Sequence, residues 1–238
     1  QKSAKQISIY LAKRGYFDND VKLDIELSHD SLRATQTFYI TPREAYRIRN
    51  ITYAFKQPDL ASRQELISRT SEIKSGDIFD IEKLDKERAR IATFLNNRGY
   101  YTFSKDYLTF LADSTFDGQV VDMEVVFRPL RKEAVLGTDS IAMVPHPKYF
   151  IGEIYVHTDY QPSQINNEFN DTLDYDGIHF LYNEELDVKP DIISYLLQFK
   201  TGDLYQKDRV SLSYRKLSQL AMFQSANIQM KDQVKNNQ

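Results

Sequence analysis

Apolar and polar residues alternate in two stretches of the chain. Val21, Leu23, Ile25 and Leu27 are separated by Lys22, Asp24 and Glu26, and Val121, Met123, Val125 and Phe127 follow the same rhythm around Asp122, Glu124 and Val126. Side chains on a strand point to opposite faces in turn, so each stretch predicts a half-buried β-strand. Other stretches keep helical spacing. Ile7 and Leu11 stand four residues apart ahead of Arg14-Gly15-Tyr16, and Ile91 and Leu95 repeat that spacing ahead of Arg98-Gly99-Tyr100. The apolar pair marks one helix face, and the glycine supplies the left-handed residue that stops the helix.

A second repeat links Lys74-Ser75-Gly76-Asp77-Ile78-Phe79 to Lys200-Thr201-Gly202-Asp203-Leu204-Tyr205. Amphipathic residues precede each copy, Leu66, Ile67 and Ile73 in one case and Ile192, Ile193, Leu196, Leu197 and Phe199 in the other. The Gly-Asp pair therefore predicts a turn between two helices. Upstream, Tyr46-Arg47-Ile48-Arg49-Asn50-Ile51 parallels Tyr149-Phe150-Ile151-Gly152-Glu153-Ile154 as an opening strand. Residues 45–131 then spell strand, helix, helix, strand, strand. Residues 1–44 supply the last helix and two closing strands of such a unit, and residues 132–147 form a linker. Residues 148–238 supply an opening strand and two helices, with a polar insertion at about 158–187 and a stub of strand at Ala226–Met230.

Composition narrows the function. The chain has 238 residues, 31 Lys and Arg against 34 Asp and Glu, and a net charge of −3. A nucleic-acid surface needs a basic excess to neutralise phosphates, so no nucleic-acid partner is expected. Cysteine is absent, which excludes disulfides and thiolate sites. Four histidines, His29, His146, His157 and His179, stand apart without ligand spacing and read as loop residues. Glu82, Asp85, Glu87 and Arg88 read as the solvated face of a helix, and Asp171, Asp174 and Asp176 as part of a solvated insertion. No phosphate loop, nucleophile elbow or metal motif appears, so neither a cofactor nor an enzymatic activity is expected. The rival reading, an envelope hydrolase with the 158–187 insertion over its cleft, requires a pocket of perturbed ionisable groups.

The ordered set of strand 46–51, turn 74–79 and helix end Asn97-Arg98-Gly99-Tyr100-Tyr101 resembles the POTRA module, and Leu220-Ala221-Met222-Phe223 resembles it with alanine where the family usually has glycine. The resemblance implies an α+β fold of tandem β-α-α-β-β units, each with a three-stranded mixed sheet and two helices on one face. Arrays of this kind resemble the Omp85 superfamily of outer-membrane insertases, BamA, TamA and their relatives, and the Tyr- and Asn-rich composition resembles the TamL lipoproteins of Bacteroidota. The resemblance implies a place on the periplasmic face of the outer membrane. Attachment would come through a β-barrel, and a lipid anchor in the TamL case, outside this segment. The implied partners are unfolded outer-membrane proteins or accessory assembly subunits. Other POTRA settings, as a rigid spacer or in secretion and division proteins, share the fold.

A three-stranded open sheet leaves backbone N–H and C=O groups unpaired at an edge, where an extended peptide can add as a further strand. The resemblance implies that the second strand of the unit is that edge, which points to Val21, Leu23, Ile25 and Leu27 in the first unit and to Tyr107, Thr109 and Leu111 in the second. Proline at Ile25 or Thr109 is then expected to remove an edge donor. Gly15, Tyr16, Gly76, Asp77, Gly99, Tyr100, Gly202 and Asp203 are expected to build the unit rather than touch a guest. Asp-Ser/Thr pairs followed by a small or apolar residue resemble the O-glycosylation motif of Bacteroidota and make Ser31, Ser114, Ser140 and Thr172 candidate acceptors.

Overall fold

The computed structural model describes residues 2–29, 32–115, 118–133, 141–158, 169–183, 185–186, 188–220 and 225–232. Ser31, Ser140 and the Ala221 position therefore lie outside the described residues. The chain divides into two compact units, residues 1–94 with 103–146 and residues 95–102 with 147–238.

The first unit begins with helix α1 (Lys2–Lys13), which packs on a hairpin of β1 (Asp20–Leu27) and β2 (Ala34–Thr41). A full module follows: β3 (Arg47–Ala54), the short helices α2 (Pro58–Ala61) and α3 (Gln64–Arg69), helix α4 (Ile81–Asn96), β4 (Leu108–Asp113) and β5 (Val120–Phe127). The last residues of α4 fall in the second unit. The sheet order is β3-β5-β4, with β5 parallel to β3 and antiparallel to β4. The parallel pairing requires a crossover, and α2 to α4 supply it. Val121, Met123 and Val125 are buried while their neighbours are not, the alternation expected from the sequence. Val121 and Met123 meet Ile48, Ile73 and Leu84 in the core. Each such side chain stabilises the fold by about 1.5–3 kcal/mol relative to exposure.

Two expectations of solvated charge fail in this unit. Glu87 is buried, 1% exposed. It lies three residues after Leu84 and four before Ile91, on the apolar stripe of α4, and survives there because Arg90 covers both carboxylate oxygens at 2.6 and 2.7 Å. His146 is buried as well, not a surface loop residue. Its ring sits edge-on against Phe103 and Tyr107, with Nε2 2.9 Å from the Arg128 carbonyl. Gln57 clamps its backbone, donating to the His146 carbonyl and accepting from its N–H. The segment expected to be plain linker carries strands β6 (Leu130–Glu133) and β7 (Ile141–Val144), and His146 anchors the exit of that pair.

The buried imidazole gives a pH prediction. Burial pushes the His146 pKa down, outweighing the Arg128 carbonyl, which pulls it up. Tyr107 is the titratable group against its ring. A folded-state value below the unfolded ~6.5 means the unfolded chain binds the extra proton first. The His146 contribution is then complete above about pH 6.5 and is lost as pH falls below it. Thermal melts at pH 7.5 and pH 5 are expected to differ less in His146→Phe than in the parent chain; equal differences would show that His146 does not titrate against folding.

The second unit departs from the expected strand-helix-helix order. Among the described residues strand β8 (Ile154–His157) is followed by the hairpin β9 (Asp171–Tyr175) and β10 (Ile178–Tyr182), and then by α5 (Pro190–Leu196) and α6 (Lys207–Ser218). The sheet order β8-β10-β9, with β10 parallel to β8, repeats that of the first unit. The segment read as a solvated insertion thus contributes two of the three strands. Phe180 and Ile178 are buried with Val188 and Ile193. Ala226–Met230, expected as a strand stub, runs without strand pairing, and Ile228 and Met230 pack against the buried cluster of Ile151, Phe199 and Tyr205.

Candidate functional site

An open sheet has two edges, and in the first unit one of them is covered at its start. The turn 76–79 lies along the start of β3: Gly76 N–H donates to the Ile48 carbonyl at 2.7 Å, Ile48 N–H to the Asp77 carbonyl at 2.8 Å, and Phe79 N–H to the Tyr46 carbonyl at 2.9 Å. Asp77 shapes that turn by accepting the Lys74 N–H and the Lys83 ammonium at 2.8 and 2.7 Å. Lys83 first, then the Lys74 N–H, hold its carboxyl below the ordinary range. In the second unit the sister turn bonds the segment just ahead of β8, with Gly202 N–H on the Ile151 carbonyl, Ile151 N–H on the Asp203 carbonyl and Tyr205 N–H on the Tyr149 carbonyl. The first copy of the Lys-Ser/Thr-Gly-Asp repeat thus covers the start of β3 as well as making a turn, a role that depends on a long-range pairing.

The opposite edge of the first unit's sheet is β4. Arg128 N–H donates to the Tyr107 carbonyl, and the β4–β5 register pairs Leu108 with Phe127 through Asp113 with Asp122. Hydrogen-bonded pairs alternate along an antiparallel ladder, so residues 107, 109, 111 and 113 point their backbone groups at β5. The outward groups belong to Leu108, Phe110 and Ala112, and Arg88 already occupies the Leu108 carbonyl at 3.0 Å.

This phase corrects the edge residues expected from sequence. Tyr107 precedes the strand, in a 3-10 turn, and the backbone donor of Thr109 faces inward. Thr109→Pro would break the ladder instead of the edge. Leu111 presents an exposed side chain at the rim. On β1 the phase is opposite. Ser28 N–H donates to the Arg33 carbonyl, which turns the backbone groups of Val21, Leu23, Ile25 and Leu27 away from β2. Ile25 and Leu27 are also exposed in their side chains.

The charges beside β4 are satisfied internally. Arg49, at the irregularity in β3, grips Asp122 through two nitrogens at 2.8 and 2.7 Å and holds its carboxyl below the ordinary range. Asp113 accepts from the Thr115 N–H and hydroxyl, which lowers its pKa too. Among the described residues no three His, Asp or Glu side chains gather as a metal-binding group, and no helix is long and apolar enough to cross a membrane. The chemistry on offer at β4 is main-chain hydrogen bonding.

The glycine motifs separate into two kinds. Gly15, Gly76, Gly99 and Gly202 all have φ between 88° and 95°. Gly76 and Gly202 are exposed with open space around them. Gly15 and Gly99 are buried, and each seats a strand: the Gly15 carbonyl accepts the Tyr46 N–H at 2.9 Å, and the Gly99 carbonyl accepts the Tyr149 N–H at 2.8 Å. The aromatic residue two positions on completes each seat. Phe17 meets Tyr46 and Phe79 with ring centroids 5.1 and 5.6 Å apart, and Tyr101 meets Tyr149 and Tyr205 at 5.6 and 4.9 Å. Tyr100 is fully buried, whereas Tyr16 is half-buried. Of the candidate acceptors, Ser114 is exposed just beyond β4 and Thr172 is exposed on β9.

Comparison with known proteins follows the fold. Residues 46–128 match the POTRA family model, described as a surface antigen variable number repeat. Among solved structures the chain is similar to POTRA3-5 of BamA from Haemophilus influenzae, with 12% identity and a TM-score of 0.50 over 99% of this chain and 75% of that one. It is also similar to the N-terminal domain of Omp85 from Thermosynechococcus elongatus, with 15% identity and a TM-score of 0.31 over 97% and 77% of the two chains. At these identities the likeness concerns the fold alone. No curated protein matches the sequence.

Proposed function

We propose that the chain is a tandem array of POTRA modules, of which residues 46–128 match the family model, and that it forms the periplasmic part of an Omp85-superfamily outer-membrane assembly factor, holding nascent β-barrel proteins or partner subunits by strand addition. One observation carries this reading: the start of β3 is covered by the turn 76–79, whereas β4 keeps outward backbone groups at Phe110 and Ala112. Open edges are normally blunted, so an edge left with free backbone groups supports a use for them. Main-chain pairing demands no particular guest sequence, which suits a protein that handles many barrel precursors. No cofactor or covalent step enters. β1 offers a further edge of the same kind. The narrower TamL reading rests on composition, and a lipid-attachment cysteine in the full gene product would support it. The exposed Ser114 and Thr172 fit the acceptor reading; intact mass on protein from the native host checks it.

The test is Ala112→Pro, which removes an outward donor where the side chain is exposed. An amphipathic barrel-strand peptide titrated into the labelled chain is expected to shift the Leu108–Asp113 amides. The variant should bind about 3- to 10-fold more weakly, the worth of one hydrogen bond, while its melting temperature stays within about 2 °C. Unchanged affinity would favour the spacer reading, for which the buried seat of Gly15 and Tyr46 is the supporting observation.

A further inference from the structure

The two aromatic seats of the chain differ in what covers them. Phe17, Tyr46 and Phe79 of the first unit hold the same places in the repeat as Tyr101, Tyr149 and Tyr205 of the second. The second trio is covered by the chain itself. Half-buried and exposed positions alternate along residues 226–230, the pattern of an extended segment lying on a surface. Ile228 and Met230 pack against Tyr205 and its neighbours Ile151 and Phe199. The Tyr101 hydroxyl donates to the Met230 carbonyl at 3.2 Å, and the Tyr149 hydroxyl to the Asp232 carboxylate at 3.0 Å. The first trio borders instead an open cavity of about 210 Å³, whose remaining lining is Ala112, Ser114 and Val121.

We propose that this cavity receives one aliphatic side chain, Ile, Leu or Met, from an extended segment of a partner protein in which apolar and polar residues alternate. The second seat supplies the pattern of the occupant, because a segment of that kind lies on the matching rings there. Size agrees with a single side chain. An apolar cavity of about 150 Å³ holds a benzene ring, so this one has room for a Leu or Met side chain and none for a folded element. The residues on its β4 side, Ala112 and Ser114, are exposed and short, and Phe17 leaves 43% of its surface in water. A guest side chain would remove that ring area from solvent, which favours binding. The Tyr46 hydroxyl already faces Asp18 at 3.4 Å, an acid of the chain itself, so the guest need not bring a counterpart of Asp232. Recognition here is through a side chain and does not rest on main-chain pairing at β4. Phe17 belongs neither to β4 nor to its ladder.

The experiment titrates the full labelled chain with a synthetic peptide of residues 225–232, the segment found on the second seat, and with a copy carrying Ile228→Ser and Met230→Ser. The first peptide is expected to shift the Tyr46, Phe79 and Ser114 amides, and the serine copy to leave them in place. Ser114→Leu fills the cavity from an exposed position and Phe17→Ala removes a wall, and each should weaken binding about 10-fold or more. Phe17→Leu keeps an apolar wall and should bind within about threefold of the parent chain, which separates loss of the cavity from loss of the fold. A barrel-strand peptide that still shifts the Leu108–Asp113 amides of Phe17→Ala reports on the β4 reading separately. Absence of shifts at the cavity, equal shifts with the serine copy, or unchanged affinity in Ser114→Leu would each overturn the inference. So would cavity shifts that follow protein concentration without peptide, since the occupant would then be a second copy of the chain.

Discussion

Gly15→Ala is expected to destabilise the first unit by about 3 kcal/mol or more, and to do so far more than the matched change Gly76→Ala. Both glycines hold φ near +90°, a conformation that costs an L residue about 1–3 kcal/mol. Their surroundings differ. A Cβ on Gly76 meets nothing within 4 Å, so that backbone cost of about 1–3 kcal/mol stands alone. A Cβ on Gly15 falls 2.6 Å from the Phe79 carbonyl oxygen and 2.9 Å from the Ile78 side chain. The carbonyl belongs to the turn that covers β3 and cannot swing aside without releasing it. The seat must open, and with it the Tyr46 hydrogen bond and the ion pairs of Arg14 with Asp80 and Glu82 at 2.7 and 2.8 Å. Hydrogen exchange should then show residues 2–44 losing protection together while β3 to β5 keep theirs. Equal destabilisation by the two substitutions in chemical melts would mean that the close approach at Gly15 contributes nothing.

Glu87→Ala is expected to cost about 3 kcal/mol, read as a fall in melting temperature of about 6–12 °C, and Glu87→Gln distinctly less. The carboxylate is 1% exposed and chelates Arg90 through both oxygens. Arg90 in turn donates to the Thr70 hydroxyl at 2.7 Å and the Ile67 carbonyl at 2.9 Å, tying α4 to the end of α3. Removing the acid strands a guanidinium that is only 22% exposed. The amide retains an acceptor for one of its bonds. A loss below 1 kcal/mol in Glu87→Ala would show that Arg90 finds water instead.

Several features were readable before the structure because they depend on neighbours in the chain. The alternation of Val121, Met123 and Val125 states which face of β5 is buried, and the glycine after each apolar helical pair marks a left-handed stop. Two further signals were present but outweighed. Asp176-Gly177, flanked by Leu173 and Tyr175 on one side and Ile178 and Phe180 on the other, is a two-residue hairpin turn, yet the surrounding carboxylates gave the segment the look of solvated loop. Glu87 lies in register with Leu84 and Ile91, but a charge on an apolar stripe reads as surface until its partner is seen.

Sequence by itself determined the repeat, the module type and the positions where the backbone must turn left-handed, since each is written in local spacing and in the steric needs of single residues. Only the tertiary structure decided which sheet edges are covered, which way the donors of β4 point, and that a hairpin preceding its helices completes the second sheet. Those outcomes depend on pairings between segments far apart in the chain. A strand's pattern of side chains tells which face is buried, but its hydrogen-bond phase and its neighbours are set by the partner it meets.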